Sequence, residues 1–109
     1  MGISSDFLRG QVDFLIASVL EEGDNYGYAI NNRIEEKSCG EIALTEASMY
    51  TSFKRLESDG IVTSYWLDGS NNRLRKYYSL TAKGQEFVKS KREEWFKNVR
   101  IMQNFYKGE

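Results

Sequence analysis

The 109-residue chain contains no histidine, no proline and a single cysteine, Cys39. Each absence removes a class of chemistry. Without histidine the chain lacks the commonest general base and the commonest metal ligand. One cysteine can neither close an intramolecular disulfide nor build a zinc cluster, which suits a reducing compartment and leaves Cys39 as an inert small residue. The nine glycines are scattered rather than gathered into a phosphate-cradling loop. The Asp and Glu residues show no paired spacing for acid–base work. Enzymatic activity, a metal and a cofactor are therefore not expected. No run approaches the roughly 18 apolar residues of a membrane-spanning helix. The first residues lack the basic-then-apolar pattern of an export signal, so the expected location is the cytoplasm.

What is present reads as one folded domain, with 40% hydrophobic and 14% aromatic residues. A chain this short buries a modest core and gains from self-association. The net charge of −1 hides an asymmetry. Residues 1–44 carry three Lys/Arg against eight Asp/Glu, whereas residues 45–84 and 85–109 each carry six against four. The densest basic cluster is RLRK, Arg73 to Lys76.

Leu8, Val12, Leu15, Ile16 and Val19 share one face at helical spacing, so a first helix is expected over residues 5–22. Gly23-Asp24-Asn25 ends it. Tyr26, Ile30 and Ile34 mark a second helix ending near Lys37. Cys39-Gly40 breaks the chain, and Ile42-Ala43-Leu44 suits a short strand. Thr45 is a good N-cap and Glu46 sits where a helix N-terminus favours an anion, so a third helix runs to about Ser58 and stops at Gly60. Residues 61–67 and 74–80 read as a hairpin around the turn-forming DGSNNR. Thr81 caps a final helix from Ala82 to about Tyr106. Gly84 in its first turn costs roughly 1 kcal/mol against alanine, a cost that a close packing contact would explain.

The third helix has two faces. Met49, Phe53 and Leu56 line one, while Ala47, Ser48, Thr51, Lys54 and Arg55 cluster on the other, with no acid among them. A hairpin with a basic returning strand follows at once, the order of a winged helix-turn-helix. In that arrangement Ser48, Thr51, Lys54 and Arg55 face the major groove, with Tyr50 beside them on phosphate or sugar. Arg73, Arg75 or Lys76 reaches a flanking phosphate or the minor groove, and Ser70–Asn72 forms a polar wing tip. A solvated hairpin edge that discourages strand pairing is the competing account of the basic cluster.

Val88, Arg92, Trp95, Val99, Met102 and Tyr106 follow a spacing close to the 3.5-residue period of a packed seam. About 35 Å of helix outruns a domain this small, so beyond its start a second copy of the chain is the expected cover. Phe7 and Phe14 lie on a second apolar face of the first helix near Gly10, which again implies a partner chain. A dimer presents two reading helices about one DNA turn apart to a palindromic site.

The stretches LRGQVDFLIASVLEEGDNYGYAI, LTEASMYTSFKRLESDGIVTSYW and RKYYSLTAKG closely resemble the PadR-like transcriptional regulators, in the short subfamily with a single C-terminal helix. The resemblance spans nearly the whole chain. It implies a mainly α winged helix-turn-helix with a small β-hairpin over residues 1–81 and a dimerisation helix over 82–109, packed as one unit. It further implies a homodimer that represses by binding operator DNA, and a pore at the dimer seam where planar aromatic or phenolic compounds stack on a tryptophan. Trp95 falls at that tryptophan's place, and Phe7, Gly10, Asp13 and Phe14 fall where the first helix lines the pore. The chain departs from the family pattern at Phe7 and Phe14, bulky enough to fill the pore, at Lys91 and Val99 beside Trp95, and in the wing at Leu74 and Asn71-Asn72. Dimer packing and ligand stacking both remain open for Trp95. The alternative to a DNA-binding regulator is a dimeric small-molecule or protein-binding module.

Overall fold

The computed structural model describes residues 2–69, 71 and 73–106. In chain order the elements are α1 (Ser5–Arg9), α2 (Val12–Leu20), β1 (Asn25–Tyr26), α3 (Gly27–Lys37), α4 (Glu46–Ser58), β2 (Val62–Asp68), β3 (Leu74–Leu80) and α5 (Ala82–Tyr106). The three strands form an antiparallel sheet in the order β1-β3-β2. The architecture is the expected one, mostly helical with a small sheet, a winged helix extended by a long C-terminal helix.

The core is built from the helical faces that the periodicity marks. Val12, Ile16 and Val19 of α2, Ile30 and Ile34 of α3, and Met49, Phe53 and Leu56 of α4 are all buried. They meet Val62 of β2 and Tyr78 of β3, and the Phe53 and Tyr78 rings stack at 3.8 Å with an interplanar angle of 5°. The Thr45 hydroxyl accepts from the Ser48 N–H at 3.1 Å, which fixes the start of α4. Its end is set by Gly60 at φ +74°, a left-handed conformation that suits glycine.

Three local expectations are corrected. The first helix is two helices, broken at Gly10-Gln11, where glycine weakens a helix interior. The break turns α1 so that Phe7 meets Trp95 of α5 edge to face at 5.9 Å. Ile42 to Leu44 is not a strand. The Asn31 side chain supplies its partner instead, donating to the Leu44 carbonyl at 2.9 Å and accepting from the Leu44 N–H at 3.1 Å. The third strand, β1, is only two residues long, too short to leave an alternation in the sequence. It pairs Asn25 with Tyr78 and Tyr26 with Tyr77.

Gly84 has the packing reason its position called for. A Cβ there would collide with the Ile61 carbonyl oxygen and the Leu80 side chain. That carbonyl is fixed, because it accepts from the Thr81 N–H at 3.1 Å, while the Thr81 hydroxyl oxygen accepts from the Gly84 N–H at 2.9 Å. Gly84→Ala is expected to destabilise the fold by about 1–3 kcal/mol through overpacking, despite alanine's better helix propensity. A thermal melt checks this, and a raised midpoint would contradict it.

Candidate nucleic-acid interface

The outer side of α4 carries Ala47, Tyr50, Thr51, Lys54 and Ser58, all exposed and none acidic. Tyr50 is 64% exposed, and the Lys54 ammonium lies 5.4 Å from its ring centroid. That contact holds the cation against the helix surface. The Thr51 hydroxyl donates to the Ala47 carbonyl at 3.0 Å. Its proton is committed, so toward a groove it offers a lone pair and a methyl group. Ser48 is only half-exposed, at the margin of this face.

Arg55 is also exposed, at the edge of that face, but its guanidinium turns toward α2, where Asp13 meets it. Arg55 Nε donates to Asp13 Oδ2 and Nη2 to Oδ1, both at 2.7 Å. Burial pushes the Asp13 carboxyl up. The hydrogen bonds from Arg55 and Ser52, with the charges of Arg55 and Lys91, outweigh this and hold it below its usual value. Glu57, at the other margin of α4, accepts from the Ser64 hydroxyl at 2.6 Å and pairs with Lys76 at 3.5 Å.

The wing divides its cations between two faces, as a strand period of two requires. Lys76 points to the α4 side, with Tyr78 and Glu57. Arg75 points to the opposite side, where its guanidinium lies 4.5 Å from the Tyr26 ring centroid. Arg73 is exposed at the turn, where its carbonyl accepts from the Gly69 N–H at 2.6 Å. Arg73, Arg75, Tyr26 and Tyr28 line one concavity between the first turn of α3 and the wing. Tyr28 lies within the NYGYAI stretch that carries the family resemblance, but only its exposure marks it as a candidate for this face. Of the expected wing-tip residues, Asn71 sits at φ +63°, and Ser70 and Asn72 lie outside the described residues.

The expected pore residues separate. Phe7, Gly10, Phe14 and Trp95 line a cavity of about 480 Å³ between the α1–α2 break and α5, with Lys91, Arg92 and Glu94 on its wall. Asp13 is not in that lining, because α2 turns its carboxylate to Arg55 instead.

The seam residues also separate. Val88 is 0% exposed and belongs to the chain's own core, so it is not available to a partner. Arg92 is tied to its own chain by an ion pair with Glu21 and by its guanidinium 5.9 Å from the Phe14 ring centroid. Val99 is half-buried. Beyond it the helix runs out from the body, and the molecule measures 61 × 32 × 21 Å. Trp95 and Phe96 before Val99, and Ile101, Met102, Phe105 and Tyr106 along this extension, are exposed, the last two at 76% and 80%.

The chain is similar to known proteins. A transcriptional regulator from Clostridium thermocellum is 39% identical, with a TM-score of 0.86 over 94% of this chain and 100% of that one. A PadR family transcription regulator from Clostridium difficile is 38% identical, with a TM-score of 0.78 over 90% of this chain and all of its own. An uncharacterised protein from Lysinibacillus sphaericus is 32% identical over 106 residues, 97% of each chain. The transcriptional regulator PadR-like family matches residues 16–90, which span α3, α4, the wing and the start of α5. The chain belongs to the PadR-like family of transcriptional regulators.

Proposed function

We propose that the protein is a cytoplasmic repressor that binds palindromic operator DNA as a homodimer. The observation that carries this reading is the outward face of α4. Ala47, Tyr50, Thr51, Lys54 and Ser58 are exposed there with a lysine and no acid among them, on a chain whose net charge is −1. Tyr50, Thr51 and Lys54 read the major groove, and Ser48 serves at its margin. Arg73 and Arg75, with Tyr28, take the flanking backbone from one side of the wing, and Lys76 faces the reading helix from the other. Phosphate neutralisation supplies most of the affinity.

The exposed stripe from Trp95 to Tyr106 supports the twofold partner, since an isolated chain would leave six large apolar side chains in water. On this reading Trp95, Val99, Met102 and Tyr106 pack across the twofold, and residues 82–109 hold two 1–81 units at operator spacing. The cavity beside Trp95 supports a planar aromatic or phenolic effector, which releases DNA by favouring a dimer geometry that mis-spaces the two reading helices.

Titration of a duplex of about three helical turns from the region upstream of the protein's own gene, over about 50–200 mM salt, tests the reading. Lys54→Ala and Arg75→Ala should each weaken binding and flatten the salt slope by about 0.9 for every phosphate no longer neutralised. Unchanged slopes in both variants would show that neither residue neutralises a phosphate.

A further inference from the structure

The Asp13–Arg55 pair joins two residues 42 positions apart and links the cavity helix α2 directly to the reading helix α4. Its geometry is that of a guanidinium receiving an oxyanion: two parallel N–H···O bonds at 2.7 Å, the arrangement a DNA phosphate also offers arginine. The two members are unequally placed. The Asp13 side chain is 24% exposed and is held from within by Ser52, whereas the Arg55 side chain is 50% exposed at the edge of the outward face of α4. The acid is therefore anchored and the cation stands at the surface.

We propose that Asp13 is an internal stand-in for a DNA phosphate, an autoinhibitory contact that withholds Arg55 from the duplex until α2 yields it. The proposal rests on the DNA-binding reading of α4. A carboxylate across the Nε–Nη2 edge of the guanidinium offsets much of the charge that a phosphate would feel. With Asp13 drawn back, Arg55 stands beside Ser48 and Thr51 as a full cation.

The position of Asp13 makes the contact adjustable. Gly10, Gln11 and Phe14, on either side of it in the chain, line the aromatic cavity, and Lys91 on the cavity wall acts on the Asp13 charge. The Gly10-Gln11 break leaves the first turn of α2 without a side-chain cap. Whatever occupies the cavity therefore bears on the residues that carry the carboxylate. A purely structural ion pair this exposed contributes little to stability and predicts no change in DNA binding when it is removed.

The test compares wild type, Asp13→Asn, Arg55→Ala and the double variant by fluorescence anisotropy on the upstream duplex and on a scrambled duplex of equal length. Asp13→Asn should bind both duplexes several-fold more tightly, with a salt slope steeper by about 0.9 for each protomer. Adding Arg55→Ala should abolish that gain, whereas Arg55→Ala alone should change binding by less than the gain. Equal slopes for folded Asp13→Asn and wild type overturn the proposal. In Asp13→Asn the Arg55 Nε–H resonance should shift when duplex is added, whereas in wild type it should stay near its DNA-free position, and an unmoved resonance in DNA-bound Asp13→Asn overturns the proposal. If wild type binds neither duplex at about 50 mM salt, the DNA-binding reading fails first, an outcome distinct from binding with equal slopes.

Discussion

Phe53→Ala should lower the stability of the fold by about 3–5 kcal/mol, a large share of the roughly 5–15 kcal/mol that holds a domain of this size. Phe53 is buried, stacks face to face on Tyr78, and its ring edge lies 3.7 Å from where a side chain at Gly27 would begin. It therefore sits where α3, α4 and the sheet converge. Truncation leaves a cavity that three elements must share, and none can collapse into it without moving its hydrogen-bonded neighbours. The thermal midpoint should fall by about 15 °C or more. Tyr50→Ala, on the same helix three residues earlier but facing solvent, should shift stability by no more than about 0.5 kcal/mol. Similar melts for the two variants would mean that α4 does not present the face described.

The second large effect concerns assembly. Met102→Glu puts a charge in the middle of the exposed stripe of α5, where only a partner chain would bury it. If two α5 helices pack there, the substitution should cost at least about 2 kcal/mol of association, roughly 30-fold or more in the dimer constant. Light scattering at micromolar concentration should then report a monomer, with an unchanged melting profile for the body of the fold. Operator affinity should fall further, because two weak half-site contacts no longer act together. Val88→Glu is the opposing control. Val88 is fully enclosed by its own chain, so a charge there should unfold the protomer instead. A dimer that persists in Met102→Glu would move the twofold contact elsewhere.

What the sequence disclosed, and what it hid, follows from the range of the interactions involved. The long helix α5 and helix α4 carry complete signals in their own residues: an apolar period, a threonine cap at Thr45 or Thr81, and a glycine stop at Gly60. The hairpin is similarly local, with two β-rich runs around a turn. The two-residue β1 exists only because β3 lies beside it, and no pattern of two residues announces that. Ile42 to Leu44 looks strand-like because it is extended and apolar, yet its hydrogen bonds go to the side chains of Ser38 and Asn31.

The candidate site divides along the same line. Helical angle alone puts Tyr50, Thr51 and Lys54 on the outer face of α4, and each is exposed there. Arg55 shares that arc on a helical wheel, but its guanidinium is claimed by an acid that only the fold brings near. The resemblance puts Asp13 at the pore, whereas within one chain its carboxylate is held by Arg55 and does not line the cavity beside Trp95. Val88 fits the seam's spacing equally well, but the start of α5 packs on its own domain. Arg75 and Lys76 are neighbours in sequence and lie on opposite sides of the wing, as alternation dictates once the strand is real.

The most direct measurement is binding of the wild-type protein to its own upstream region, against a scrambled duplex of the same length and composition. The account predicts a saturable complex of two chains per duplex, tighter on the upstream sequence by about 10³-fold or more at physiological salt, with affinity falling steeply as salt rises. Equal, weak binding to both duplexes, or none at low salt, would contradict it.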